Sequence, residues 1–167
     1  MDSRSEAEFA EFMHGRWPAL VRLGYGLTGD EGLAEDLARA ALAKAYASWP
    51  RVLRAGDPDV YLRRSILNAS LGRVRRRRVR ERRPGDVSKP GTAQAARVDH
   101  DRPALVTALM RLPASQRSVV LLRYWMDMTE AQVAAVLGCS VGSVRSLASR
   151  ALANLRVGED VAEEVLL

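Results

Sequence analysis

Apolar residues recur along this chain at intervals of three and four, the spacing of one helix face, and not in the alternation of short strands. Phe9, Phe12, Met13, Leu20, Val21 and Leu23 keep roughly that spacing and predict a first helix from about Glu6 to Leu27. Pro18 lies inside it, and its missing N–H and bulky ring predict a kink or a restart. Thr28-Gly29-Asp30 ends the segment. Glu31 to Ser48 then reads as a second helix with Leu33, Leu37, Ala41 and Ala45 along one stripe. Pro50 to Pro58 reads as a loop. Asp57 or Asp59 is placed to cap a third helix, in which Val60, Ile66, Leu67, Leu71 and Val74 are the core candidates before arginines take over.

The pattern breaks at residues 84–100, PGDVSKPGTAQAARVDH. This stretch has prolines, glycines and no apolar period, and it reads as a flexible tether between two domains. Beyond it come Pro103 to Leu112 and then Pro113, well suited to open a helix running to about Trp125. Thr129 with Gln132 three residues on forms a capping-box pattern for a short helix to Leu137. Gly138-Cys139-Ser140 makes a turn, with Gly138 suited to the left-handed conformation that ends a helix. Ser140 caps a final helix whose inward residues are Val144, Ala148, Ala151, Leu152 and Leu155. The prediction is an all-α protein of two small helical domains, residues 1–83 and 101–156, the second a helix-turn-helix domain, followed by an acidic tail at 157–167.

Composition agrees with helices: Ala, Leu, Val and Arg dominate, and aromatic residues make up 5% of the chain. Charge adds a direction. Lys and Arg outnumber Asp and Glu by 17 to 11 over residues 1–83 and by 7 to 3 over 101–156, while the last eleven residues carry none against 4. Two basic blocks separated by a neutral stretch point to two contacts with a polyanion, nucleic acid ahead of an anionic membrane. Cys139 is the only cysteine, so no disulfide framework can form. No run approaches the ~18 apolar residues of a membrane span, and Met1 to Glu11 has no apolar signal core. A cytoplasmic protein with no membrane partner is expected.

Two features carry candidate chemistry. In the helix-turn-helix pattern, Val133, Ala134 and Leu137 would pack on Val144 and Ala148, leaving Ser143, Arg145, Ser146, Ser149 and Arg150 outside. Those side chains are suited to phosphates and base edges in a major groove, although an ordinary helical hairpin with a solvated face has the same pattern. The second feature is GRVRRRRVRERR, with Arg73, Arg75, Arg76, Arg77, Arg78, Arg80, Arg82 and Arg83. Such a fork-rich run binds phosphate with strong salt dependence, either as the end of a helix or as a disordered tail. Enzymatic constellations are missing: His14, His100 and Cys139 stand in separate segments, and no phosphate-binding glycine loop occurs. No catalysis, cofactor or metal is expected. Glu35-Asp36 reads as a solvated face or a partner contact.

LTGDEGLAEDLARAALAKAYASW, PDVYLRRSILNASLGRVRRRR and LPASQRSVVLLRYWMDMTEAQVAAVLGCSVGSVRSLASRALANLR together resemble the extracytoplasmic-function sigma factors, minimal two-domain subunits of bacterial RNA polymerase, most of all their actinobacterial members. The resemblance runs from Phe9 to Arg156. It implies core RNA polymerase and promoter DNA as partners and allows an anti-sigma factor. It implies a first domain that binds the polymerase clamp through Glu35, Asp36, Leu37, Arg39 and Ala40 and captures unpaired bases of the minus-ten element. There Asn68 would help hold a flipped base, Val52 to Pro58 would form its pocket, and Arg73, Arg75 and Arg76 would meet DNA. The second domain would read the minus-thirty-five duplex with Ser143, Arg145, Ser146, Ser149 and Arg150. Two departures stand out. Ala38, Arg39 and Ala40 replace a family stretch with an amide and an acid, which is expected to leave an unpaired or like charge at the clamp. Arg73 stands among small and aliphatic residues where close relatives carry tryptophans, which is expected to weaken strand separation. A helix-turn-helix regulator acting without polymerase, or a basic RNA-binding or nucleoid protein, would account for part of these features.

Overall fold

The computed structural model describes residues 2–82 and 103–165, with side chains for 2–82 and 104–157. The expected tether at 84–100, together with Arg83 and His100, lies outside the described residues. The chain divides into two compact units, Met1–Arg97 and Val98–Leu167, each with its own core. Among the described residues every regular element is helical.

The first unit holds α1 (Ser3–Thr28), α2 (Glu31–Ala47), α3 (Trp49–Ala55) and α4 (Pro58–Glu81). Asp2 caps α1 by accepting from the Ser5 N–H at 2.9 Å, and Gly29, at φ 68°, ends it in the left-handed conformation with its N–H on the Tyr25 carbonyl. No restart occurs at Pro18: α1 is one element throughout. Pro18 and His14, whose carbonyl loses its partner, are both exposed, so water can replace the missing bond. Asp30 caps α2 through the Leu33 N–H. The expected stripe of α2 is wider than predicted. Ala34, Ala38 and Leu42 are buried with Leu37, Ala41 and Ala45, while Leu33 is only half-buried.

Small residues let α1 and α2 come close. A Cβ on Gly24 would stand 2.9 Å from the Ala34 Cα and 3.0 Å from its carbonyl oxygen, so only glycine fits this crossing. Leu23, Leu62 and Ile66 are fully buried in the core of this unit, each worth about 1.5–3 kcal/mol of transfer free energy. In α4 the buried positions are Leu62, Ile66, Leu67 and Ser70; Val60 and Val74 are half-buried and Leu71 is exposed, which corrects three of the five expected core positions.

The expected loop at Pro50–Pro58 is instead mostly α3. Pro50 sits in its first turn, where proline is favoured, and burial of Trp49 and Val52 holds it in place. Phe9 meets the Trp49 ring edge-on at 5.1 Å and Phe12 meets it tilted at 5.1 Å.

The second unit holds α5 (Pro103–Arg111), α6 (Ala114–Val120), α7 (Glu130–Leu137) and α8 (Val141–Val165). The helix expected from Pro113 to Trp125 is α6 plus a π-helical turn, Leu121–Trp125, in which the Met126 N–H reaches the Leu121 carbonyl five residues back. Pro113 is the N-cap rather than the first helical residue. Arg117 is half-buried and donates to the carbonyls of Leu109, Met110 and Leu112, satisfying the otherwise open C-terminal end of α5. Burial pushes its pKa down. Val136 is buried where Leu137 was expected to be, and Leu152 is exposed on α8. The backbone of the segment expected as an acidic tail continues α8 to Val165.

Candidate nucleic-acid interfaces

In the second unit the turn chemistry is local. The Thr129 hydroxyl accepts from the Gln132 N–H at 3.2 Å and the Gln132 side chain accepts from the Thr129 N–H at 2.9 Å, a complete capping box on α7. Gly138, at φ 68°, returns its N–H to the Ala134 carbonyl. Ser140 starts α8 by accepting from the Ser143 N–H at 3.1 Å. Across this turn α7 and the Val141–Val157 part of α8 are bent by 101°, within the range of about 90–120° of helix-turn-helix pairs. Val133, Ala134 and Val144 are buried in the angle. Ser143, Arg145, Ser146, Ser149 and Arg150 all lie exposed on α8, so the hydrogen-bonding groups are gathered on one accessible stretch. Arg145 is not free: its Nε donates to Glu130 Oε2 at 2.6 Å.

In the first unit the candidate residues run along α4. Tyr61, Asn68 and Arg75 are seven residues apart, two helical turns or about 10 Å per step, and so share one stripe. Asn68, Arg73, Arg75 and Arg76 are exposed. The arginine run is helical to Glu81, to which Arg77 donates at 3.1 Å. Beside the Tyr61 end lies an open cavity of about 350 Å³ lined by Lys44 and Ser48 of α2 and its C-cap, Arg51, Val52 and Ala55 of α3, and Tyr61. Asn68 does not line it. Its lining combines the cations Lys44 and Arg51, the hydroxyls of Ser48 and Tyr61 and the apolar Val52 and Ala55, chemistry suited to a flat polar ring attached to a phosphate. The start of α4 that borders this region is held by a fork pair: Arg16 donates through Nε and Nη2 to the two Asp59 carboxylate oxygens at 3.0 and 3.1 Å. Asp57, not Asp59, is therefore the cap of α4. The Asp59 carboxylate raises the Arg16 pKa.

Lys44, Arg51 and Tyr61 had no sequence signal as neighbours, since they stand on three different helices. Trp49, next to Ser48, is 2% exposed and its Nε1–H has no hydrogen-bond partner among the described residues.

The α2 face is charged but internally paired. Arg39 donates to Glu35 at 2.8 Å and to Asp36 at 3.4 Å, and its guanidinium lies 5.7 Å from the Trp17 ring centre. Within the chain Arg39 is paired, because helical spacing places it three and four residues after two acids. Glu35 is half-buried and Asp36 and Ala40 are exposed on this face, whereas Leu37 is 4% exposed and packs into the core, where it supports the face from below. Among the described residues no group of three or more His, Cys, Asp or Glu could hold a metal, and no single helix is long and apolar enough to cross a membrane. Cys139 is exposed in the turn.

Comparison with known proteins places both halves. Sigma-70 region 2 matches residues 16–80, and sigma-70 region 4 matches residues 102–155. The chain is 37% identical to the RNA polymerase sigma-E factor of Streptomyces antibioticus over 149 residues, 89% of this chain and 83% of the relative. It is 30% identical to the ECF RNA polymerase sigma factor SigL of Mycobacterium tuberculosis over 146 residues, 83% of this chain and 81% of the relative. Among solved structures, the sigma factor RpoE bound to the anti-sigma factor NepR from Bartonella quintana superposes with a TM-score of 0.72 at 24% identity, covering 89% of this chain and 94% of that one. CnrH in complex with the cytosolic domain of CnrY gives 0.63 at 21%, covering 93% and 90%. With both regions present in order and relatives covered over most of their length, the chain belongs to the RNA polymerase sigma factors of the extracytoplasmic-function class.

Proposed function

We propose that this chain is the promoter-recognition subunit of a bacterial RNA polymerase, acting in the cytoplasm by binding alone and with no catalysis of its own. The observation that carries the reading is the presence in one chain of two unlike basic surfaces: an exposed helix suited to a duplex groove, and a concave, cationic site beside a helix that presents Asn68. One surface fits paired DNA and the other fits bases already out of the stack.

In this reading α8 enters the major groove of the upstream element and Arg145 or Arg150 contacts base edges or phosphate. The Tyr61–Asn68–Arg75 stripe tracks the separated strand, with arginines on phosphate and the cavity receiving a flipped base. Flipping costs a few kcal/mol, so a site that returns this cost only for fitting bases reads sequence as the duplex melts. The exposed Glu35, Asp36, Arg39 and Ala40 face docks on core polymerase. An anti-sigma factor is a further partner in this reading, as the sigma factor RpoE from Bartonella quintana was captured with one. A regulator acting without polymerase would use α8 alone and leave the cavity and the α2 face without a role.

Permanganate footprinting with core polymerase tests the assignment. Asn68→Ala should impair opening of duplex promoter more than initial duplex binding, with a smaller defect on a pre-melted template. Wild-type opening by the variant would remove Asn68 from base capture, and absence of opening with the unsubstituted protein would reject the function.

A further inference from the structure

Arg145 is a proposed base-reading side chain that a neighbouring helix grips. Its Nε donates to Glu130 Oε2 at 2.6 Å across fifteen residues of sequence, from the second turn of α8 to the first turn of α7. Glu130 is well placed to do this. A carboxylate in the first turn of a helix faces its positive end, and the flanking capping box of Thr129 and Gln132 fixes the local backbone. The Glu130 side chain is 32% exposed while that of Arg145 is 69% exposed, so the anchor is set back and the guanidinium stands forward. The terminal Nη1 and Nη2 of Arg145 make no hydrogen bond among the described residues.

This division of donors matters for reading a base. A free arginine has four side-chain torsions to fix, which costs entropy, and it binds any nearby phosphate as readily as a base edge. With Nε committed, the planar fork is oriented, and the remaining Nη pair can make a two-bond contact with the O6 and N7 acceptors of a guanine. The carboxylate has a second, opposite effect. Lying beside the groove-facing helix, its negative charge repels phosphate and so weakens binding that does not depend on sequence.

We infer that Glu130 is a specificity-determining positioning residue: by holding Arg145 through Nε it sharpens the choice of one base pair in the upstream element and lowers non-specific affinity for DNA. The inference rests on the proposed reading of promoter duplex by α8. Neither effect follows from a purely structural ion pair, since an exposed pair of this kind contributes only about 0–1 kcal/mol to stability.

The test uses the full chain assembled with an actinobacterial core polymerase and a promoter library with every position of the upstream element varied. Arg145→Ala identifies the base pair that Arg145 reads. Glu130→Ala should reduce discrimination at that same pair by about tenfold, leave the other positions unchanged, and raise binding to a random duplex. Glu130→Gln keeps an acceptor but not the charge. It should retain most of the discrimination while sharing the gain in random binding. Adding Glu130→Ala to Arg145→Ala should reduce discrimination no further. Wild-type discrimination in Glu130→Ala, or tighter specific binding, would overturn the inference while leaving promoter reading by α8 intact. A loss spread over every position in Glu130→Ala would assign Glu130 to the folding of α7 and also overturn it. If Arg145→Ala alters no position, both the inference and the role of Arg145 fall together.

Discussion

The two surfaces proposed to meet nucleic acid have opposite constructions. In the second unit, every side chain proposed to touch DNA lies between Ser143 and Arg150 on one helix. In the first unit, the cavity is assembled from α2, α3 and α4, and its lining residues are far apart in sequence. The difference follows from the target. A major groove is itself concave and accepts a convex helix, so a local motif suffices. An unstacked base is convex and needs a pocket, which only converging elements can form. Function in the first unit should therefore depend more steeply on its helix packing than function in the second.

The strongest way to separate the units is Gly24→Val. Its Cβ would meet backbone atoms of Ala34 at 2.9 and 3.0 Å, which cannot yield as a side-chain tip would. We expect a loss of about 3 kcal/mol, the upper end of overpacking costs. Differential scanning calorimetry should show the first unit melting earlier and the second unchanged, with promoter opening lost. A common shift of both would mean that the units are not independent. The counterpart is Arg117→Met in the second unit, which takes this donor from the carbonyls of Met110 and Leu112 and leaves that of Leu109 with the Leu112 N–H alone. Leaving half-buried acceptors unmet should cost about 2 kcal/mol in that unit only.

These two sites also show what the sequence carried and what it did not. The second unit was legible because its signals are local: Thr129 with Gln132, Gly138 and Ser140 each act within a few residues, and each was found in the predicted role. The first unit was legible as helices but not as a site. Ala34 lies outside the predicted stripe because a small residue counts as core only when a neighbour such as Gly24 lets a helix come close, and Ala38 and Leu42 lie one residue beyond Leu37 and Ala41 of that stripe. Residues 50–58 read as a loop because a proline stands at each end, whereas burial of Trp49 and Val52 decides the structure of α3. Lys44, Arg51 and Tyr61 become neighbours only through tertiary packing, as do Arg16 and Asp59, 43 residues apart. The arginine run reads in sequence as either the end of a helix or a disordered tail, and its helical state to Glu81 is what aligns Arg75 with Asn68.

A smaller effect sharpens the comparison at the DNA surfaces. Arg150→Ala removes an exposed contact without disturbing packing, so it should weaken transcription through the upstream element by about 1 kcal/mol or more if the side chain reads a base. Binding to an already separated minus-ten strand should be unaffected. Unchanged activity over a range of salt would take Arg150 off the DNA face. The smallest effect is expected on α2, where Glu35 and Asp36 already neutralise Arg39. Arg39→Gln with Ala40→Glu frees both acids and adds a third. It should tighten core polymerase binding by about 1 kcal/mol or less, read as a lower Kd by fluorescence anisotropy. Weaker binding would mean that the interface is built around Arg39.

The most direct test of the proposed function is run-off transcription from a promoter recognised by this protein, with core polymerase present or absent and DNA binding measured in parallel. Two small basic units binding separately pay a large ordering cost, which a polymerase scaffold removes. The protein alone should therefore bind promoter DNA weakly, core polymerase alone should start without site selection, and only the two together should give a transcript of defined length. Tight, sequence-specific binding by the protein alone, with no defined transcript when core polymerase is added, would contradict the sigma reading and favour a regulator that works through α8 without polymerase.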